Sequence, residues 1–82
     1  MKILKFYTDT CMPCKVLGKT LDRIKEAEVT PVNATEALDM VDKYNVCSTP
    51  TLIFLNNEGE EVERTVGLTT EAKIKEIIKK FL

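Results

Sequence analysis

Two cysteines, Cys11 and Cys14, stand three positions apart and are the residues of this sequence best suited to chemistry. They follow a β-forming run and begin a helix-forming one. At the start of a helix, unpaired backbone N–H groups and the helix dipole would stabilise a thiolate and lower the pKa of Cys11. The spacing returns Cys14 to the same side of the helix, where it can attack a sulfur bonded to Cys11. The pattern indicates dithiol–disulfide exchange.

A close cysteine pair is also half of a zinc site, so metal binding is an alternative. Zinc usually takes four ligands, and here Cys47 is the only other cysteine and there is no histidine, so an internal site would need a carboxylate. Two cysteines packed in a core are another alternative, although they would need neither Pro13 between them nor a helix start. We interpret Cys47 as a small buried hydrophobic residue, the alternative being an exposed third thiol.

Composition excludes several classes of function. The chain has 82 residues, with 12 Lys and Arg against 13 Asp and Glu, a formal net charge of −1. This balance argues against a nucleic-acid binder that works through a broad basic surface. The absence of histidine excludes Ser-His-Asp and Cys-His catalysis within the chain. No apolar run approaches the ~18 residues of a membrane span.

The length and the cysteine usage predict one cytoplasmic domain over residues 1–82, which we expect to be a monomer. The N-terminal run is interrupted by Lys5 and has no small-residue cleavage site, so we expect no signal peptide. An odd number of cysteines is also unlike a disulfide-stapled secreted protein. No flavin or nucleotide motif is present, so we expect no cofactor beyond a redox-active Cys11–Cys14 disulfide and an external source of electrons.

The rest of the sequence predicts short strands and helices that would position the two cysteines. Hydrophobic periodicity and turn residues predict the order β-α-β-α-β-β-α, an α/β fold with a four-stranded mixed sheet and three helices. The predicted strands cover residues 2–7, 28–33, 51–55 and 60–66, and the predicted helices cover residues 11–26, 35–44 and a final segment capped by Thr69 or Thr70.

Single residues indicate where these strands and helices would lie in the fold. Pro31 places the second strand at an edge of the sheet. The continuous apolar run over residues 51–55 suits a strand that is covered on both faces. Thr35 would cap the second helix. The side chains expected to face inward from that helix are Ala37, Leu38 and Val41.

Taken together, these motifs resemble the thioredoxin family. Cys11-Met12-Pro13-Cys14 on a helix, Ser48-Thr49-Pro50-Thr51 before an apolar strand, and a hairpin ending in Val66-Gly67 extend the resemblance over essentially all 82 residues. It implies the short form of the thioredoxin-like fold, without an additional N-terminal strand and helix, and a cis peptide bond before Pro50. The residues that it implies for substrate binding are Met12, Pro13, Thr49, Pro50 and Gly67.

The resemblance also implies a mechanism and partners. Cys11 would attack a protein disulfide, Cys14 would then attack Cys11, and a thioredoxin reductase or, as the alternative, glutathione would restore the dithiol. Glutaredoxins share this short topology, and a glutathione-linked reductase is one rival function. Pro13 directly before the second cysteine and the Val66-Gly67-Leu68-Thr69 segment favour thioredoxin, whereas the small size and Phe6-Tyr7-Thr8 are glutaredoxin-like. A non-catalytic binding module with the same fold is the rival from another class.

Two positions depart from the family pattern. Thr10 stands where thioredoxins usually have tryptophan, so part of the apolar surface that faces the substrate is missing. Lys5 stands where they usually have a buried aspartate, which is thought to act as the base for the second thiol. We interpret the Lys5 ammonium as solvated, the alternative being an amine held inside the protein. The proton of Cys14 would then pass to water or to the leaving thiolate of the substrate.

Overall fold

The computed structural model describes residues 1–82 and contains the predicted elements in the predicted order. They are β1 (Lys2–Tyr7), α1 (Met12–Asp22), β2 (Glu28–Asn33), α2 (Leu38–Tyr44), β3 (Thr51–Leu55), β4 (Glu61–Val66) and α3 (Glu71–Phe81). The four strands form one sheet in the order β2-β1-β3-β4. β1 and β2 are parallel and the other pairs are antiparallel, which confirms the mixed sheet. β2 lies at an edge, as Pro31 predicts.

The sheet separates two apolar clusters, because every residue of β3 is buried. Side chains alternate between the two faces of a strand, so β1 and β3 each contribute to both clusters. α1 and α3 cover one face, in a cluster of Ile3, Leu17, Leu21, Ile24, Leu52, Phe54, Ile74, Ile77 and Ile78. α2 covers the other face, where Ala37, Met40, Val41 and Tyr44 pack against Leu4, Phe6, Val32, Ile53 and Leu55. The continuous apolar run of β3 therefore reflects burial on both faces, as predicted.

Strand register brings three chain segments to one end of the sheet. Phe6 in β1 is paired with Thr51 in β3, and Thr51 is paired with Val66 in β4. The chain leaves β1 one residue after Phe6, enters β3 at Thr51 and leaves β4 at Val66. The segment before α1, the segment before β3 and the turn after β4 consequently meet at this end, which we call the cysteine end.

The first helix is shorter than the periodicity predicts. It ends at Asp22 rather than near Glu26. The N–H of Ile24 donates to the carbonyl of Leu21 at 3.0 Å, a three-residue spacing that tightens the last turn. This turn keeps Ile24 in the core and leaves a short connection in which the chain reverses direction before β2 begins at Glu28.

The second helix begins later than predicted, and the predicted cap at Thr35 is wrong. The Thr35 hydroxyl donates to the Asn33 side-chain oxygen at 2.6 Å, so the pair forms a local turn that competes with helix. Ala37 occupies the N-cap position without a side-chain cap bond. Leu38 is 64% exposed, so its predicted inward orientation is wrong as well. Val41 packs against the core as predicted.

An arginine connects the end of α2 to β4. One terminal nitrogen of the Arg64 guanidinium donates to the Tyr44 carbonyl at 2.6 Å, and the other donates to the Asn45 carbonyl at 3.4 Å. Its Nε donates to Glu61 at 2.7 Å. This hydrogen bond lowers the pKa of Glu61 and raises the pKa of Arg64. Arg64 therefore fixes the place where the chain leaves α2 and turns toward β3.

Because the pKa of Glu61 is lowered in the folded protein, its stabilising contribution is present above the ordinary value of 4.5 and is lost as the pH falls further. We expect Glu61→Gln to reduce the free energy of unfolding by up to about 1 kcal/mol near neutral pH, and the difference from the parent protein to shrink in acid. Urea unfolding at several pH values measures this, with Glu58→Gln in the same hairpin as the control. A difference that stays constant into acid would contradict the assignment.

Candidate active site

Cys11 and Cys14 are joined by a disulfide, with their Cα atoms 5.2 Å apart. Cys11 is the N-cap of α1, and its sulfur accepts a hydrogen bond from the Cys14 N–H at 3.1 Å. The Cys11 N–H donates to the Thr8 carbonyl at 3.3 Å, which ties the cap to the segment that leaves β1. Pro13 lies in the first turn, where a missing N–H removes no helix hydrogen bond. The predicted placement of the pair at a helix start is therefore confirmed.

The two sulfurs differ in access to solvent. Cys11 is half-buried, whereas Cys14 is only 3% exposed. Met12 and Pro13 between them are exposed, Met12 by 65%. A bulky disulfide approaching from solvent would therefore meet Cys11 first. Cys14 would then attack the Cys11 sulfur of the resulting mixed disulfide.

Thr49, Pro50 and Gly67 lie at the same end of the sheet as the cysteines. The Thr49–Pro50 peptide bond is cis, as the family resemblance implied. The Gly67 N–H donates to the Pro50 carbonyl at 2.8 Å. Gly67 has φ +84°, a conformation that glycine adopts without strain, and this turn aims its N–H at Pro50. The structure thus gathers the predicted substrate-binding residues around the cysteine end.

A cavity of about 270 Å³ connects the segment before α1 with the segment before β3. Thr8 lines one side of it, and Cys47, Ser48 and Thr49 line the other. Cys47 is exposed, so our interpretation of it as a buried hydrophobic residue is wrong. Val46 packs against the core instead, and the next side chain along the chain points outward.

A second cavity, of about 490 Å³, is a groove between β1 and the exposed side of α1. Cys14 forms part of its wall, and Lys5 and Gly18 form another part. The Lys5 nitrogen lies 3.2 Å from the position that a Gly18 Cβ would occupy. Sequence reasoning missed Gly18, although a glycine inside a helix, four residues after a cysteine, is a signal, because it costs helix stability.

No group of three or more Cys, Asp or Glu side chains is arranged to hold a metal ion. None of the three helices combines the length and the apolar character that crossing a bilayer requires. Around the cysteine end, the exposed apolar side chains are Met12 on α1 and Val66 and Leu68 on either side of Gly67. They offer apolar contact to a molecule that approaches Cys11.

Comparison with known proteins identifies relatives with this arrangement. The family model described as Thioredoxin matches residues 1–80. Thioredoxin of Mycoplasma pneumoniae is 30% identical over 80 residues, covering 93% of this chain and 78% of the relative. Thioredoxin of Staphylococcus epidermidis is 29% identical, covering 100% of this chain and 83% of the relative.

Solved structures show the same likeness in three dimensions. A mutant thioredoxin from Halobacterium salinarum NRC-1 superposes with a TM-score of 0.89 at 31% identity, covering 98% of this chain and 73% of that one. Thioredoxin of Fasciola hepatica superposes with a TM-score of 0.86 at 27% identity, covering 99% and 80%. The fold therefore has counterparts in both of these organisms.

We expect iodoacetamide to label Cys11 of the reduced protein faster than Cys14 at neutral pH, by about tenfold or more. Cys11 is the more exposed sulfur and accepts the cap hydrogen bond, which favours its thiolate. Mass spectrometry of the cysteine peptides at short reaction times measures the two rates. Cys47→Ser removes the competing exposed thiol and serves as the background. Preferential labelling of Cys14 would reverse the order of reactivity.

Proposed function

Since the chain belongs to the thioredoxin family and is a thiol–disulfide oxidoreductase, we propose that it reduces protein disulfides, with Cys11 as the nucleophile and Cys14 as the resolving thiol. In this proposal residues 1–82 act as one thioredoxin-like domain. The observation that carries the assignment of roles is the hydrogen bond from the Cys14 N–H to the Cys11 sulfur, together with the contrast in exposure of the two sulfurs.

The reaction proceeds in two exchanges. In the first, the Cys11 thiolate attacks one sulfur of the substrate disulfide, forms a mixed disulfide and releases the first substrate thiolate. In the second, the Cys14 thiolate attacks the Cys11 sulfur, which releases the second substrate thiolate and forms the Cys11–Cys14 disulfide. Two electrons pass from the dithiol to the substrate. The proton of Cys14 is released before the second exchange.

The geometry of the site supports these roles of Cys11 and Cys14. A negative charge on Cys11 lies at the N-terminus of α1, where the Cys14 N–H and the helix dipole stabilise it. Cys14 lies one helical turn away, close enough to reach the Cys11 sulfur without a change in backbone.

Protein disulfides are the substrate class of the family, and the exposed apolar side chains of Met12, Val66 and Leu68 at the cysteine end support contact with a polypeptide. In our proposal Met12 and Pro13 contact the substrate from α1, and Thr49, Pro50 and Gly67 contact it from the other side. The backbone before Pro50 would pair with the substrate like an added strand. We further propose that the protein works as a monomer in the cytoplasm, where a thioredoxin reductase, rather than glutathione, restores the dithiol.

Insulin reduction by dithiothreitol tests the activity. We expect the parent protein to accelerate it, Cys11→Ser to abolish the acceleration without unfolding the domain, and Cys47→Ser to retain it. Cys14→Ser should instead accumulate mixed disulfides with protein substrates, because the second exchange cannot occur. A Cys11→Ser protein that remains active would contradict the roles assigned above.

The redox potential tests the direction of the reaction. We expect a value nearer the ~−270 mV of thioredoxin than the ~−120 mV of a strong oxidant. Equilibration of the Cys11–Cys14 pair against glutathione buffers measures it. A value more oxidising than about −200 mV would overturn the reductase assignment. Turnover with thioredoxin reductase and NADPH, compared with glutathione and its reductase, identifies the electron donor.

A further inference from the structure

The Lys5 side chain points from the middle of the sheet toward α1. Side chains alternate along β1, so Lys5 shares a face with Ile3, which belongs to the cluster under α1 and α3. β1 is an inner strand, with β2 on one side and β3 on the other. The Lys5 side chain therefore cannot turn to a nearby sheet edge and instead reaches solvent through the groove beside α1. Our interpretation of Lys5 as simply solvated therefore needs refinement, because the side chain is half-buried.

Gly18 makes room for the end of this side chain. The Lys5 nitrogen lies 3.2 Å from the position that a Gly18 Cβ would occupy, and no other side chain beyond the immediate neighbours of Gly18 comes within 4 Å of it. The Cα–Cβ direction in a helix tilts toward the N-terminus, so this position lies on the Cys14 side of Gly18. Cys14 and Gly18 are four residues apart and neighbours on one helix face. The Lys5 ammonium and Cys14 therefore line the same groove, on the same side of α1.

Two contacts keep the ammonium in this place. The ring of Tyr7 lies below it, with 5.3 Å between the Lys5 nitrogen and the ring centroid, a cation–π distance. The second contact is with the space left by the missing side chain of Gly18, which we call the notch. None of the ion pairs of the protein involves Lys5. Its positive charge is thus not neutralised by a carboxylate in direct contact.

The other ionisable groups of the groove differ from Lys5 in exposure. β1 also supplies Tyr7, the following segment supplies Asp9, and α1 supplies Lys15, Lys19 and Asp22. All four of the charged groups other than Lys5 are exposed, so water screens them. A half-buried charge acts through less solvent and has the stronger effect on a nearby buried thiol. Among the charges lining the groove, the Lys5 ammonium is therefore the best placed to influence Cys14.

We propose that Lys5, seated in the notch at Gly18, is the residue that stabilises the Cys14 thiolate for the second exchange. This inference rests on the proposed function, since it concerns the step in which Cys14 resolves the mixed disulfide. Burial of Cys14 disfavours its thiolate, and a positive charge in the same groove offsets that effect. Lys5 acts through Cys14 and takes no part in the transfer of its proton.

The step balances without a protein base. The Cys14 thiol loses its proton to water in the groove, and the thiolate attacks the Cys11 sulfur of the mixed disulfide. The Cys11–Cys14 bond forms as the bond between Cys11 and the substrate breaks, and the substrate sulfur leaves with the electron pair. The ammonium lowers the free energy of the thiolate before attack. The negative charge then moves to the departing sulfur.

Stopped-flow reaction of the reduced protein with a neutral dipyridyl disulfide separates the two exchanges. The first pyridinethione is released in a bimolecular phase that reports Cys11, and the second in a unimolecular phase that reports Cys14. The Cys47→Ser background removes the third thiol. We expect Lys5→Met to shift the pH midpoint of the unimolecular phase upward by about one unit, which slows it about tenfold near neutral pH. The bimolecular phase should change much less.

Matched variants separate charge from structure. Lys5→Arg keeps the charge and should retain most of the unimolecular rate, and Lys79→Met removes an equal charge from the exposed end of α3 and should leave both phases unchanged. Gly18→Leu fills the notch with a good helix former and displaces the ammonium without removing it. It should reproduce the shift of Lys5→Met. Circular dichroism checks that each variant is folded.

The outcomes are distinct. An unchanged pH midpoint in folded Lys5→Met and Gly18→Leu would overturn the inference, as would equal slowing of both phases, which would place the effect on Cys11. A slower unimolecular phase in Asp9→Asn, with no effect of Lys5→Met, would overturn it in favour of a carboxylate base. Failure of the proposed function looks different, because the parent protein would then show no unimolecular phase and no insulin reduction.

Discussion

The pairing of β1 with β3 is the interaction on which the rest of the structure depends. It sets Phe6 opposite Thr51, and through β4 it sets Val66 in the same row. The row brings Cys11, Pro50 and Gly67, which are far apart along the chain, to one end of the sheet. It also buries β3 on both faces, so α1 and α3 must pack on one side and α2 on the other. Because side chains alternate across a strand, a shift of one residue in this register would exchange the two clusters and separate the three segments.

The same register explains why a lysine can occupy the middle of the sheet. Lys5 is paired with Leu52 on one side and Pro31 on the other, and neither neighbour offers it a charge partner. Its charge is tolerated because α1 carries no side chain at Gly18 and the groove admits water. A glycine in a helix interior costs roughly 0.5–1 kcal/mol relative to alanine. The protein thus gives up helix stability at the position that accommodates the Lys5 amine.

Most of the fold can be predicted from the sequence, because the strong patterns and the packing agree. The spacing of Ile74, Ile77 and Ile78 predicts a buried helix face, and all three are buried. The Thr70 hydroxyl caps that helix through a hydrogen bond from the Lys73 N–H. The predictions are wrong where local hydrogen bonds determine the residue at which a helix begins. The Asn33–Thr35 turn delays α2, and no hydrophobic pattern contains that information.

The residues of the candidate site could be predicted from the sequence, but the contacts between them could not. A cysteine pair at a helix start follows from residue order, and the expectation of a cis bond before Pro50 came from the family resemblance. The exposure of Cys47 and the placement of the Lys5 ammonium depend on which neighbours supply space in three dimensions. Gly18 is thirteen positions from Lys5, so no local pattern relates the two.

The layer formed by α2 has fewer buried residues than the layer formed by α1 and α3. The free energy of local opening therefore differs between the two faces of the sheet. α2 has seven residues, none of them buried, and no side chain caps its first turn. α1 and α3 are longer, and each has three buried residues. Segments with few buried contacts open at low free energy, as small cooperative units. We expect the amide protons of α2 to exchange with solvent faster than those of the sheet, through openings that leave the sheet and α1 folded.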